Sequence, residues 1–170
     1  MKSKNSLVLL SLLVLTFISC KESPTENEFK YPPDNEYKVS ISQGVWGNVW
    51  FWEGNFMPVI DPNYAYAKIT PVVREIFVHE ATTDSNVQYL NGNFGTFITK
   101  INSTLITTIY SDNDGFFQIS LSPGKYSFFV KEDTLFYANE WDGEDHILSA
   151  TVTENNVTKR QIDITYKASF

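Results

Sequence analysis

The sequence predicts an all-β domain, a two-sheet sandwich of seven strands, and three observations lead there. Across residues 41–170 apolar and polar side chains alternate with a period of two, and no window of a dozen residues keeps the i, i+3, i+4, i+7 apolar stripe of an amphipathic helix. The alternating runs are short and bounded by turn chemistry, at 44–52, 72–82, 104–110, 116–121, 125–131, 147–153 and 161–167. Seven strands over this length suit two packed sheets, and a domain of this size buries roughly two thirds of its unfolded surface in one core.

The first strand contains Val45-Trp46-Gly47-Asn48-Val49-Trp50-Phe51-Trp52, with three of the four tryptophans. Alternation puts Val45, Gly47, Val49 and Phe51 on one face and Trp46, Asn48, Trp50 and Trp52 on the other. Both faces are therefore apolar, and a wet sheet face does not ordinarily present three indoles, so a chain segment, a partner or a sugar ring is expected to cover them. The long connections 53–70, with Pro58, Pro62, Tyr64 and Tyr66, and 84–101, with Tyr89, Phe94 and Phe97, are the candidate covers. The alternative is an open platform on which Trp46, Trp50 and Trp52 stack against a glycan while Asn48 and Asn55 hydrogen-bond to it.

The second strand carries His79-Glu80, adjacent residues that point to opposite faces and cannot ligate one ion together. Asp112-Asn113-Asp114-Gly115 tolerates positive φ, and in Ser122-Pro123-Gly124 proline presets one φ while glycine frees the next. The two turns bracket 116–121 and predict a three-stranded meander of 105–110, 116–121 and 125–131. Its expected core residues are Phe117, Ile119, Leu121, Tyr126, Phe128 and Val130. In the last strand Ile162, Ile164 and Tyr166 share one face, opposite Gln161, Asp163, Thr165 and Lys167.

The N-terminus reads as an address. Lys2 and Lys4 precede an apolar run, 7–18, too short to span a bilayer and suited to a secretory h-region. Phe17-Ile18-Ser19-Cys20 follows and resembles the lipobox of bacterial lipoproteins, in which the cysteine receives diacylglycerol before cleavage, with Phe17 in place of the usual leucine. The expectation is a signal peptide over 1–19 and a lipidated Cys20; a lone thiol is the alternative. Cys20 is the only cysteine, so its acylation leaves no thiol for a disulfide, a nucleophile or a zinc cluster. Residues 21–40 combine charges with Pro24, Pro32 and Pro33 and read as a flexible tether, leaving one domain over 41–170. Lys21-Glu22-Ser23 resembles the short acidic export signal that sends Bacteroidetes-type lipoproteins to the outer face of the outer membrane.

Ser111-Asp112-Asn113-Asp114-Gly115-Phe116-Phe117 and Leu121-Ser122-Pro123-Gly124-Lys125-Tyr126 are similar to the T-D-x-x-G-x-F and L-x-P-G-x-Y signature of carboxypeptidase regulatory-like domains. Val45-x-Gly47-x-Val49 matches the first strand of that family. The resemblance implies a transthyretin-like (prealbumin-like) sandwich and a non-catalytic accessory or binding module. Glu53-Gly54-Asn55-Phe56-Met57-Pro58 and Phe136-Tyr137-Ala138-Asn139 further resemble a group of small Bacteroidetes lipoproteins built on this domain.

Charge narrows the partners. Removing 1–19 changes the net charge from −7 to −9, with 11 Lys and Arg against 20 Asp and Glu. Without a basic cluster neither nucleic acid nor anionic lipid is an expected electrostatic partner. Asp142-Gly143-Glu144-Asp145, followed by His146, offers oxygens to calcium, but such turns are ordinarily only solvated, and no metal or cofactor is expected. Asp112 to Asp114 do not make an EF-hand, since Tyr110 and Leu121 stand at its first and last ligand positions. Tyr166-Lys167-Ala168-Ser169 bears a faint likeness to the C-terminal Tyr-Arg-Gly-Ser of hydroxyisourate hydrolases, without their paired histidines. The acids define no glycosidase pair and no Gly-x-Ser-x-Gly occurs. Asn102-Ser103-Thr104 and Asn156-Val157-Thr158 are sequons, and Asp133-Thr134-Leu135 is similar to a Bacteroidetes O-glycosylation site. The expectation is a lipid-anchored, non-enzymatic module at the cell envelope, at the outer membrane, beside a protein partner. A glycan binder is the alternative and an envelope hydrolase the least favoured reading.

Overall fold

The computed structural model describes residues 31–58, 66–92 and 94–170. The expected signal peptide, Cys20 and the tether as far as residue 30 lie outside the described residues. Twelve strands follow in order: β1 (Gly44–Asn55), β2 (Ala67–Pro71), β3 (Glu75–Glu80), β4 (Val87–Tyr89), β5 (Phe97–Ile101), β6 (Leu105–Tyr110), β7 (Phe116–Ile119), β8 (Gly124–Glu132), β9 (Leu135–Tyr137), β10 (Ser149–Val152), β11 (Val157–Lys159) and β12 (Ile162–Ser169). No α-helix occurs among the described residues. The seven expected strands are present as β1, β3, β6, β7, β8, β10 and β12. Of the other five, β4, β9 and β11 have three residues each, too few to display a period of two, and β2 and β5 lie in stretches read as connections, so the count is twelve rather than seven.

These strands make a β-sandwich of one five-stranded and one seven-stranded sheet. β1 is the axis of the smaller sheet. Antiparallel β7 and β2 share one of its edges, and β11 and β12 run along the other as successive parallel partners in a common register. The larger sheet runs β4-β5-β9-β8-β3-β6, with β10 also against β8.

The expected meander is corrected. β6 and β8 flank β3 in the larger sheet, while β7, between them in sequence, pairs with β1 in the smaller one. The turns that bracket β7 are therefore corners that change sheets. At the first, Asp112 Oδ1 accepts the backbone N–H groups of Asp114 at 2.9 Å and Phe116 at 3.0 Å. Gly115 there takes φ +76°, and its carbonyl accepts the Val49 N–H at 2.8 Å, docking the turn on β1. At the second, the Tyr126 hydroxyl donates to the Ser122 carbonyl at 3.0 Å, which closes the corner as a tyrosine corner does.

Because β7 crosses over, Phe117 faces Phe128 of β8 between the layers, with ring centroids 6.1 Å apart. Val45, Val49, Ile162 and Ile164 of the smaller sheet and Ile76, Val78 and Val130 of the larger complete a dry interior. Among the expected core residues Phe117, Leu121, Phe128 and Val130 are buried, and Ile119 and Tyr126 pack half-buried against them. Truncating Phe128 to Ala would cost about 3–5 kcal/mol through lost transfer energy and the cavity left behind. The layers are also tied by polar contacts, as the Tyr137 hydroxyl accepts the Thr165 N–H and lies within hydrogen-bond reach of Thr165 Oγ1, both at 3.1 Å.

Gly47 is needed for close approach. A Cβ there would overlap the carbonyl of Arg160, whose own N–H donates to the Trp46 carbonyl at 2.7 Å. We expect Gly47→Ala to lose on the order of 4 kcal/mol in urea unfolding, since neither backbone can retreat without breaking the β1·β11 ladder. Gly143→Ala meets nothing within 4 Å and should stay within about 0.5 kcal/mol of the parent. Equal losses at the two sites would contradict this account.

Candidate functional site

The outer face of β1 carries the expected site residues, and the structure covers much of it. Asn48 is 0% and Trp46 5% exposed, so neither presents a surface to a sugar, while Trp50 and Trp52 are half-buried. Among the described residues the cover comes chiefly from a segment the sequence does not suggest, residues 31–40, read above as tether, which lie along the face as a strap. Tyr31 packs on Trp50 and Trp52 with centroids 6.2 and 5.8 Å away. Asn35 is buried, and its Nδ2 donates to Asn48 Oδ1 at 2.7 Å and to the Asp114 carbonyl at 3.0 Å. Lys38 Nζ bridges Asp112 at 2.8 Å and Asp114 at 2.6 Å and stands 5.7 Å from the Phe116 ring. Ser40 N–H donates to Gln118 Oε1 at 2.9 Å, and Gln118 Nε2 donates back to Ser40 Oγ at 2.8 Å.

The opposite end of the row is closed by Lys159. Its ammonium lies 5.0 Å from the Trp46 ring and pairs with Asp34 of the strap. The Trp52 indole N–H donates to Asp163 Oδ1 at 2.9 Å. Burial pushes the Asp163 carboxyl up, against the hydrogen bonds from Gln161 and Trp52. Of the expected cover 53–70, Phe56 reaches an indole, 5.0 Å from Trp52; segment 84–101 instead supplies β4 and β5 of the other sheet. Asn55 Oδ1 accepts the Met57 N–H at 3.0 Å and so caps a turn. Among the described residues the buried Trp50 Nε1 has no hydrogen-bond partner.

The remaining polar clusters each hold structure. His79 is buried and Glu80 exposed, on opposite faces as alternation requires. His79 Nδ1 lies 3.1 Å from the Ser103 carbonyl and 3.2 Å from Ser103 Oγ. A carbonyl only accepts, so Nδ1 carries the proton and cannot serve Ser103 as a base. Burial holds the imidazole below its ordinary pKa, the Ser103 carbonyl opposing. Glu132, buried at the end of β8, is paired with Arg74 and accepts the Tyr166 hydroxyl at 2.8 Å; burial first, then Glu132, pushes that phenol up to about 12. Nothing in the alternation pattern marks this trio, beyond a single acid ending an apolar strand.

Asp142, Glu144 and His146 bring three donor atoms within 4.8 Å of one another. Their centre is filled by Lys125, whose Nζ is 3.1 Å from Asp142, 2.6 Å from Glu144 and 3.4 Å from His146 Nδ1. The fixed ammonium neutralises the oxygens a metal would need, so the arrangement is a loop clamp. Burial pushes the Asp142 carboxyl up, but the His146 N–H, the Ser149 hydroxyl, the Glu144 N–H and Lys125 outweigh it and hold it well below the usual carboxylate range. Asp112 is likewise held low, with burial opposed by Lys38 and two backbone N–H groups.

Compared with known protein families, curated proteins and solved structures, the chain matches none.

A carboxyl depressed in the folded state stabilises fully above its unfolded pKa, about 3.9 for Asp, and that contribution disappears as pH falls through the folded value. We therefore expect Asp142→Asn to lower the thermal midpoint at pH 7 and to narrow its gap to the parent progressively below about pH 4. Melts at stepped pH measure this; a gap that stays constant or widens in acid would contradict it.

Proposed function

We propose that the chain is a lipid-anchored, non-catalytic β-sandwich that serves as a binding or accessory module at the bacterial cell envelope. The observation that carries this reading is Cys20, the single cysteine, at the end of an apolar leader in the setting Phe17-Ile18-Ser19-Cys20. A diacylglyceryl group there supplies two chains at about 0.8 kcal/mol per buried CH₂, enough to retain an acidic domain without a basic patch. Only ten residues separate Cys20 from Tyr31, where the strap begins to pack on the sheet. The domain is then held close to its membrane rather than displayed on a long stalk.

A transthyretin-like, carboxypeptidase regulatory-like arrangement belongs to the same proposal. It is supported by the work its signature residues do. Asp112 and Gly115 shape one sheet-changing corner, and the Ser122-Pro123-Gly124-Lys125-Tyr126 run closes the other. A module role draws support from how the titratable clusters are used. Lys125, Lys38 and Arg74 each neutralise the acids beside them, which suits structural clamps better than proton transfer.

Phase separation in a cloud-point detergent tests the anchor. The parent, expressed with its own leader in a bacterium, should enter the detergent phase, carry incorporated fatty acid and float with membranes. Cys20→Ala should move to the aqueous phase with an unchanged melting curve. Detergent partitioning that survives the substitution would refute lipidation.

A further inference from the structure

The strap has a direction. Tyr31 lies at Trp50 and Trp52, Asn35 at Asn48, and Ser40 at Gln118, the cross-strand neighbour of Trp46. It thus runs antiparallel to β1, from the C-terminal end of that strand toward its N-terminal end. The chain that leads back to Cys20 therefore leaves the domain at the C-terminal end of β1. Fully extended it spans at most about 3.3–3.6 Å per residue, roughly 40 Å from Tyr31 to Cys20.

That same end carries an exposed apolar cluster. Tyr31 is 58%, Met57 49%, Tyr66 61% and Phe170 69% exposed. Tyr31 and Phe170 pack on the half-buried Trp52 at 5.8 and 6.0 Å, while Met57 follows in the turn after β1 and Tyr66 leads into β2 beside Gly54. The neighbours of Glu53 across the sheet here are Lys68 and Lys167, both exposed, so the local charge is not the strong negative of the chain as a whole. Tyrosine and tryptophan with flanking lysines are the side chains that settle at the headgroup level of a bilayer, where one end of the ring is apolar and the other wet.

We infer that Tyr31, Trp52, Met57, Tyr66 and Phe170 form a foot that rests in the interfacial layer of the phospholipid membrane holding the anchor. This rests on the lipidation of Cys20. The foot sets orientation: the C-terminal ends of β1 and β12 face the lipid, and the Ser122 corner, which follows β7 at the N-terminal end of β1, points away from it.

Full-length protein purified from membranes and reconstituted into phosphatidylcholine vesicles, with either plain or brominated acyl chains, tests the foot. Flotation reads the anchor and loss of tryptophan emission in brominated vesicles reads the contact. The parent should float and be quenched. Tyr66→Asp with Phe170→Asp should float equally and show several-fold less quenching, whereas Tyr37→Asp, an exposed ring on the strap away from this end, should quench as the parent does. If the double variant does not fold, hydrogen exchange on the parent answers the question. Amides of residues 55–57 and 66–68 should be slower in vesicles than in soluble Cys20→Ala protein. A parent that floats without quenching or protection, or a folded double variant quenched as strongly as the parent, overturns the foot and leaves the anchor standing. A parent that does not float overturns both.

Discussion

The architecture depends on one strand being apolar on both faces. β1 presents Val45, Val49 and Phe51 to the interior and Trp46, Asn48, Trp50 and Trp52 to the outside, so a single sheet cannot bury it. The interior face is met by the larger sheet through Phe117, Phe128 and their neighbours. The outer face is met by the strap. Burial of aromatic surface contributes about 25 cal/mol per Å² and acts against the entropy of ordering a strap segment that Pro32 and Pro33 already restrict. Gly47 belongs to the same constraint, because the parallel partner can lie against β1 only where no Cβ intervenes.

The polar groups follow from that geometry. Two acidic loops recur with the same construction: an aspartate accepts backbone N–H groups ahead of it in its own turn, and a lysine from elsewhere in the chain neutralises it. Asp112 has Lys38 and Asp142 has Lys125. Exposed pairs of this kind are worth little by themselves, but here the carboxylate also shapes the backbone, so its charge and its hydrogen bonds act together. Lys38 additionally fastens the strap to the corner that carries the chain from β6 to β7. The element that shields the indoles thus also braces the crossing between sheets.

The long strands were legible in the sequence because each spans at least two periods of alternation, as in Ile162, Ile164 and Tyr166. β4, β9 and β11 were not, having three residues each. The turn residues were legible as turns, but turn chemistry alone does not say whether the chain folds back on its neighbour or changes sheet, so the expected meander became a crossing. The strap was the largest departure. Charges and prolines without periodicity read as tether, and nothing local tells Asn35 that its partner is Asn48 or Lys38 that its partners are Asp112 and Asp114. The doubly apolar β1 did announce that a cover must exist; which segment supplies it is a tertiary fact.

The most direct measurement is urea unfolding, followed by tryptophan emission, of two soluble chains that begin at residue 31 and at residue 41. If the strap completes the fold, the shorter chain unfolds at distinctly lower urea and its native emission shifts to the red as Trp50 and Trp52 meet water. Coincident midpoints and identical native spectra would show that β1 is dry without it, and the account of the outer face would fail.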